Sequence, residues 1–272
     1  MSRKLKTVFY FLMLTLAWVA IQAHTPALIF LHNQVNAQSA LLVDSASGKV
    51  LFSRNPSEPL APASTTKLLT ALLVFERTQL KGDVIIDASD TNVVPASIPL
   101  RAGETVSVKT LMQSLLIGSD NDSALALARY TAGSVETFVA MMNERAAELG
   151  CEKSVFKTPN GLPASGQVTT ARDLLKIFEA AMAVPELREL CQTPKFALNT
   201  AVGRQMMSNR NKLLGVYPGM GPAKTGFTRG AQHTYAASAT RGGHELHLIL
   251  LHSEDGWADA AAIFDFGFAQ FQ

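Results

Sequence analysis

Charge is sparse in this chain and collects nowhere. Acidic and basic residues make up 17% of its 272 positions, and the formal net charge is +2. Before Asp44 the only charged side chains are Arg3, Lys4 and Lys6, so the remainder carries −1. A near-neutral body without a basic stripe excludes the electrostatic footprint of a nucleic-acid-binding protein. Cysteine is nearly missing as well. Cys151 and Cys191 lack metal-ligand spacing; an oxidising compartment would permit a disulfide, but they read as two small buried hydrophobes. The six histidines are quiet: His244, His247 and His252 fall on an expected strand without an i, i+2 pattern, so no metal site and no cofactor is expected. The apolar run Val8 to Ile21 falls short of the ~20 residues that a membrane span needs. Repeats, low-complexity tracts and an interdomain linker are all absent.

What is present is apolar. At 47% hydrophobic residues the chain can bury a full core, in one large domain or two small ones. The basic start followed by Val8 to Ile21 reads as an export signal, with Val35-Asn36-Ala37 offering small residues for cleavage. Residues 1–37 are therefore expected to be a signal peptide. A second apolar stretch, Ala27 to Leu31, keeps an uncleaved N-terminal anchor open, and only in that case is a membrane a partner. The expected location is exported, periplasmic or at the cell envelope, with no C-terminal membrane anchor visible.

Residues 38–272 are expected to form the folded domain. Ser39 to Asp44 and Lys49 to Phe52 read as strands around the turn Ser45 to Gly48. Asn55 to Ala63, with three prolines, is a loop. From Ser64 to about Gln79 a helix is apolar over nearly its whole circumference, which demands central burial. Val108 to Ile117, Ser123 to Tyr130 and Val135 to Leu149 read as helices, and Thr170-x-x-Asp173 starts another that ends near Pro185. Lys224 to Thr228, His233 to Thr240 and Glu245 to His252 are strands, and Trp257 to Phe271 is a closing helix. Strands thus bracket a helical middle. The expected fold is α/β of the α+β type: an antiparallel sheet flanked by helices (about 38–87 and 216–272) and an all-helical lobe (about 88–215).

Three motifs stand in one order: Ser64-Thr65-Thr66-Lys67, Ser119-Asp120-Asn121 and Lys224-Thr225-Gly226. A lone Ser-x-x-Lys arises roughly once by chance in a chain this long, but the ordered triple of S-x-x-K, S-D-N and K-T-G is a specific signal. Ser64 and Lys67, at i and i+3, share a helix face. A serine hydroxyl needs a neighbour to take its proton, and Lys67 can do so if burial and a second cation, Lys224, pull its pKa down. A helix N-terminus would turn the Ser64 N–H toward a developing oxyanion. With Gly118 stopping one helix and Asp122-Ser123 starting the next, Ser119 could relay a proton and Asn121 could orient Lys67 or a substrate amide. On an edge strand Lys224 and Thr225 can hold a carboxylate, and Gly226 lets a substrate backbone approach.

These motifs, with Asn160-Gly161-Leu162, Thr170-Ala171-Arg172-Asp173, Asn209-Arg210-Asn211 and Gly221 to Thr228, make the chain resemble the D-alanyl-D-alanine carboxypeptidase family of low-molecular-mass penicillin-binding proteins, from about Ala40 onward. The resemblance implies a β-lactamase/DD-peptidase-like fold, with residues 38–272 as the catalytic domain and the active site between the sheet lobe and the helical lobe. It implies Ser64 as the acylated nucleophile, Lys67 as proton acceptor, Ser119 and Asn121 as the second catalytic element and Lys224 as the carboxylate-binding lysine. The backbone N–H groups of Ser64 and Phe227 would form the oxyanion hole. The implied partners are peptidoglycan pentapeptide stems, with β-lactam antibiotics as covalent inhibitors. Unlike many relatives, the sequence shows neither a second β-rich domain nor a C-terminal anchoring helix.

The expected activity is hydrolysis of the terminal D-alanyl-D-alanine bond through an acyl-enzyme on Ser64. Alternatives are a D-alanyl cross-link endopeptidase with the same site, a class A-like β-lactamase and a non-catalytic penicillin-binding protein. Asp120 speaks for the β-lactamase. Against it, no glutamate between Asn121 and Lys224 stands in an E-x-x-L-N segment to activate a deacylating water.

Overall fold

A computed structural model describes residues 28–91, 100–201 and 203–271, so the expected signal segment Val8 to Ile21 lies outside the described residues. The elements follow in the order β1 (Ser39–Asp44), β2 (Val50–Arg54), α1 (Lys67–Thr78), β3 (Asp83–Ile85), β4 (Thr105–Ser107), α2 (Val108–Gln113), α3 (Asn121–Ala132), α4 (Val135–Glu148), α5 (Ala171–Met182), α6 (Pro185–Gln192), β5 (Lys195–Thr200), β6 (Gly203–Ser208), β7 (Met220–Thr228), β8 (Gln232–Arg241), β9 (His244–Ser253) and α7 (Gly256–Ala269).

One antiparallel sheet, ordered β2-β1-β9-β8-β7, joins the two ends of the chain. Its strands are apolar on both sides because both faces are covered. Leu42, Tyr235, Ala237, Leu248 and Leu250 pack toward α7, while Leu41, Val43, Ala236, Ile249 and Leu251 pack toward the helical group. This is the period-two split of a strand buried on both faces. Edge strand β7 shifts register against β8 between Met220 and Ala223, a stretch that contains Pro222. In the helical group α1 is the axis: Lys67 to Val74 are all buried, with α3, α4 and α5 packed around them.

The α+β class stands, but the middle of the chain is not all-helical. β3 pairs with β4, and β5 pairs with β6, in two small antiparallel sheets. The β5–β6 hairpin is held by few apolar side chains (Phe196, Leu198 and Met207 are buried), and Met207 covers Gly118 so closely that a Cβ there would lie 2.2 Å from its Cε. Pro185 does not merely end a helix; it is the first residue of α6, where its missing N–H costs nothing.

The packed fold also starts ahead of residue 38, the expected domain boundary. Leu31, Val35 and Ala37 are buried in the core on the α7 side. The Arg54 guanidinium donates to the carbonyls of His32, Val35 and Ala37. Asp259, buried in α7, accepts from the N–H groups of Asn36 (2.9 Å) and Ala37 (2.8 Å) and from Ser253 Oγ (2.7 Å).

Candidate active site

The three motifs meet where α1, the α2–α3 turn and β7 converge. Ser64 lies in a single 3-10 turn, Ala63–Thr66, that runs into α1. Ala63 has a left-handed φ of 47°, a conformation that costs a non-glycine residue about 1–3 kcal/mol and persists only where the surroundings impose it. Here they do. Thr65 Oγ1 (2.6 Å) and Thr234 Oγ1 (2.9 Å) both donate to the Pro62 carbonyl. Gly161 presses on the same turn: a Cβ there would sit 1.9 Å from the Ala63 carbonyl oxygen.

Lys67 is fully buried, and its Nζ has three partners: Ser64 Oγ at 2.9 Å, Asn121 Oδ1 at 2.8 Å and the Asn160 carbonyl at 2.6 Å. Two of these are acceptors only. A neutral amine has two N–H groups and one lone pair, so it can donate to both carbonyl oxygens and accept the Ser64 hydroxyl proton. Burial, and next the charge of Lys224, hold the Lys67 pKa well below the usual lysine value; Asp120 partly opposes this.

The expected single helix from Val108 to Ile117 is interrupted. After α2 a π turn covers Ser114–Gly118, and Ser119, not Gly118, takes the left-handed conformation at φ 61°. Such π turns recur at functional sites because they redirect the chain. Asp120 rather than Asp122 then caps α3, accepting from the Ser123 N–H at 2.7 Å. The result points Ser119 at β7, where Lys224 Nζ donates to its Oγ at 2.8 Å and to the Thr225 carbonyl at 2.9 Å. Burial pushes the Lys224 pKa down to about 7, and Arg210 adds to the effect. The nearby Cys191 thiol, pushed up to about 12 by burial, is neutral and lends Lys224 no countercharge. Cys191 and Cys151 are both free thiols.

Gly226 faces the nucleophile turn. A Cβ there would lie 2.6 Å from Ser64 N and 2.4 Å from Thr234 Oγ1, so only glycine lets β7 close to this depth. A cleft of about 570 Å³ opens over these groups, lined by Ser64, Ser119, Asn121, Thr225, Gly226 and Phe227 among others. All eight residues singled out from the motifs are therefore together. Sequence reasoning did not single out three further contributors as site residues: the Asn160 carbonyl, Arg210, whose Nε donates to the Gly118 carbonyl at 3.1 Å beside the cleft, and the aromatic wall of His233 and Trp257. Asn160 and Arg210 lie in segments shared with the family it resembles; Trp257 carried no signal.

The chain matches the D-alanyl-D-alanine carboxypeptidase family over residues 22–255. It belongs to that family. The D-alanyl-D-alanine carboxypeptidase DacB2 of Mycobacterium tuberculosis is 36% identical, over 86% of this chain and 82% of its own length. The D-alanyl-D-alanine endopeptidase of Pseudomonas aeruginosa is 32% identical, over 92% and 82%. The chain spans only 63% of the Bacillus subtilis carboxypeptidase DacF and 56% of the Escherichia coli carboxypeptidase DacC. Among solved structures, a D-alanyl-D-alanine carboxypeptidase of M. tuberculosis superposes with a TM-score of 0.82 at 34% identity, covering 86% of this chain and 92% of that one. A Streptomyces DD-transpeptidase gives 0.81 at 28%, covering 86% and 98%. This carboxypeptidase-family chain thus shares the fold of serine enzymes that handle D-alanyl peptides.

Proposed function

We propose that the protein is an exported serine DD-peptidase that removes the terminal D-alanine from peptidoglycan stem peptides. The observation that carries this reading is the set of partners around Lys67 Nζ, which suits a neutral amine accepting the Ser64 proton. Ser64 Oγ attacks the carbonyl carbon of the penultimate D-alanine while its proton passes to Lys67. The Ser64 and Phe227 N–H groups stabilise the oxyanion, and Lys224 with Thr225 holds the terminal carboxylate. As the C–N bond breaks, the proton held by Lys67 passes through Ser119 to the departing amine, which leaves Lys67 neutral again and Lys224 charged. Water then attacks the Ser64 ester; neutral Lys67 takes its proton and passes it to Ser64 Oγ as the ester bond breaks. Asn121 keeps Lys67 aligned. β-Lactams, whose carboxylate and amide occupy the same positions, acylate Ser64.

The endopeptidase reading rests on the Pseudomonas relative, which matches over most of both chains. Digesting a mixture of monomeric pentapeptide and cross-linked dimeric muropeptides separates the two. Free D-alanine from monomers is the expected product. Monomers released from dimers without free D-alanine would replace the carboxypeptidase reading by the endopeptidase one, and no product from either, with no penicillin labelling of Ser64, would overturn both.

A further inference from the structure

The segment ahead of β1 is tied to the body of the protein at several points. Residues 28–34 are helical. Leu28, Ile29 and Phe30 are exposed, whereas Leu31 and Val35 turn into the core on the α7 side. The His32 ring lies against Phe52, centroids 4.7 Å apart. Polar contacts then hold the segment from two sides. The Arg54 guanidinium gathers the carbonyls of His32, Val35 and Ala37, and the buried Asp259 carboxylate gathers the N–H groups of Asn36 and Ala37. Packing thus begins at Leu31 and is complete at Ala37, which is buried.

A cut after Ala37 would carry all of these groups away. Asp259 would keep Ser253 Oγ but lose its two backbone donors, and a buried carboxylate short of donors is strongly unfavourable. Arg54 would lose the three carbonyls, and departure of Leu31 and Val35 would leave the apolar core beneath them uncovered. The sequence offers an earlier cut. Its first apolar run ends at Ile21, and export leaders run to about 15–30 residues in all. Ala23 and Ala27 fall inside that length, and Thr25-Pro26-Ala27 spaces its small residues as Val35-Asn36-Ala37 does. A cut after Ala37 would need a leader of 37 residues.

We propose that the leader is removed at or before Ala27, and that residues 28–37 stay as a latched first segment of the mature enzyme. The cut is hydrolysis of one peptide bond by a membrane-bound leader peptidase. Water gives its hydroxyl to the leader's new carboxyl group and its hydrogen to the new amine. The assignment rests on the export reading above.

The test expresses the full-length precursor in a bacterium with an outer membrane and reads the N-terminus of the periplasmic protein by intact mass and terminal sequencing. The expected mature chain lacks Met1 and starts at Leu28 or earlier. A mature chain that starts beyond Leu28, or an exported chain that keeps its leader, overturns the assignment alone. A precursor that stays uncut in the cytoplasm overturns the export reading and the assignment with it. Thermal melting of chains 28–272 and 38–272 tests the latch. The shorter chain should melt roughly 10 °C lower or fail to fold. Asp259→Asn should lower the melting temperature of the longer chain and raise that of the shorter, because only the shorter one buries the carboxylate without its backbone donors. Equal melting of the two chains, or a change of the same sign in both, overturns the latch.

Discussion

Both faces of the sheet are covered by apolar cores, but the two bury different polar groups. Toward α7 the interior is dry: Leu42, Leu246, Leu248, Leu250, Phe264 and Phe268 fill it, and Asp259 is buried there with hydrogen bonds to Asn36, Ala37 and Ser253. Toward the helical group two lysines, Lys67 and Lys224, are buried almost completely, together with Asp120, Asn121, Asp122 and Ser123. Burying an ammonium is unfavourable unless it sheds its proton or finds partners, and both lysines show that pressure in depressed pKa values. The difference shows a division of labour. Both faces carry an apolar core, but only the helical one also holds buried lysines whose burial weakens the fold and sharpens their chemistry.

Lys67→Ala should break the division on the catalytic face. Removing the proton acceptor is expected to slow acylation of Ser64 about 10²–10⁴-fold, read from the rate of covalent labelling by a fluorescent penicillin, while the melting transition shows a folded protein. Phe264→Ala probes the other face. Phe264 is fully buried, and its loss should cost ~3–5 kcal/mol in denaturant unfolding yet change kcat/KM by less than about twofold below the transition. A large kinetic effect there would show that the faces are coupled.

Lys224 gives the smallest and most informative effect. A charge-assisted contact to a substrate carboxylate is worth ~1.5–3 kcal/mol, so Lys224→Ala should lower kcat/KM for free-carboxylate peptides roughly 10- to 150-fold and affect carboxyl-amidated peptides far less. The sign of its pH dependence follows from its state. Lys224 binds a carboxylate only when protonated, so kcat/KM should fall as pH rises through about 7, whereas activity should be lost at lower pH as Lys67 becomes protonated. The amidated peptide should lack the alkaline limb. A limb that persists with it would assign the titration to another group.

The sheet and the central helix were legible because their apolar residues repeat with clear periods, and the motifs located the chemistry because it resides in side chains. What stayed hidden has physical reasons. Strand β6 exposes Arg204, Gln205 and Met206 in succession, so no alternation marks it. Pro185 serves equally as a stop and as the first residue of a helix. The Ser114–Gly118 π turn keeps a helical pattern while changing where the next residues point. The third partner of Lys67 is a backbone carbonyl, which no side-chain motif announces. Ala63 and Ser119 occupy left-handed backbone that neither residue type favours, and only tertiary packing imposes it.

The register shift in β7 has a consequence for solubility. An enzyme that accepts its substrate as an added strand must keep a sheet edge open, and an open edge also invites a second copy of the same protein to pair and propagate. Here Pro222 contributes no N–H, and the irregularity between Met220 and Ala223 breaks the ladder, leaving a regular stretch only from Ala223 to Thr228. Six residues are enough for a short peptide but make a poor template for sheet-to-sheet assembly. On the proposed function, the irregularity at the start of β7 is expected to limit self-association while leaving room for a peptide substrate.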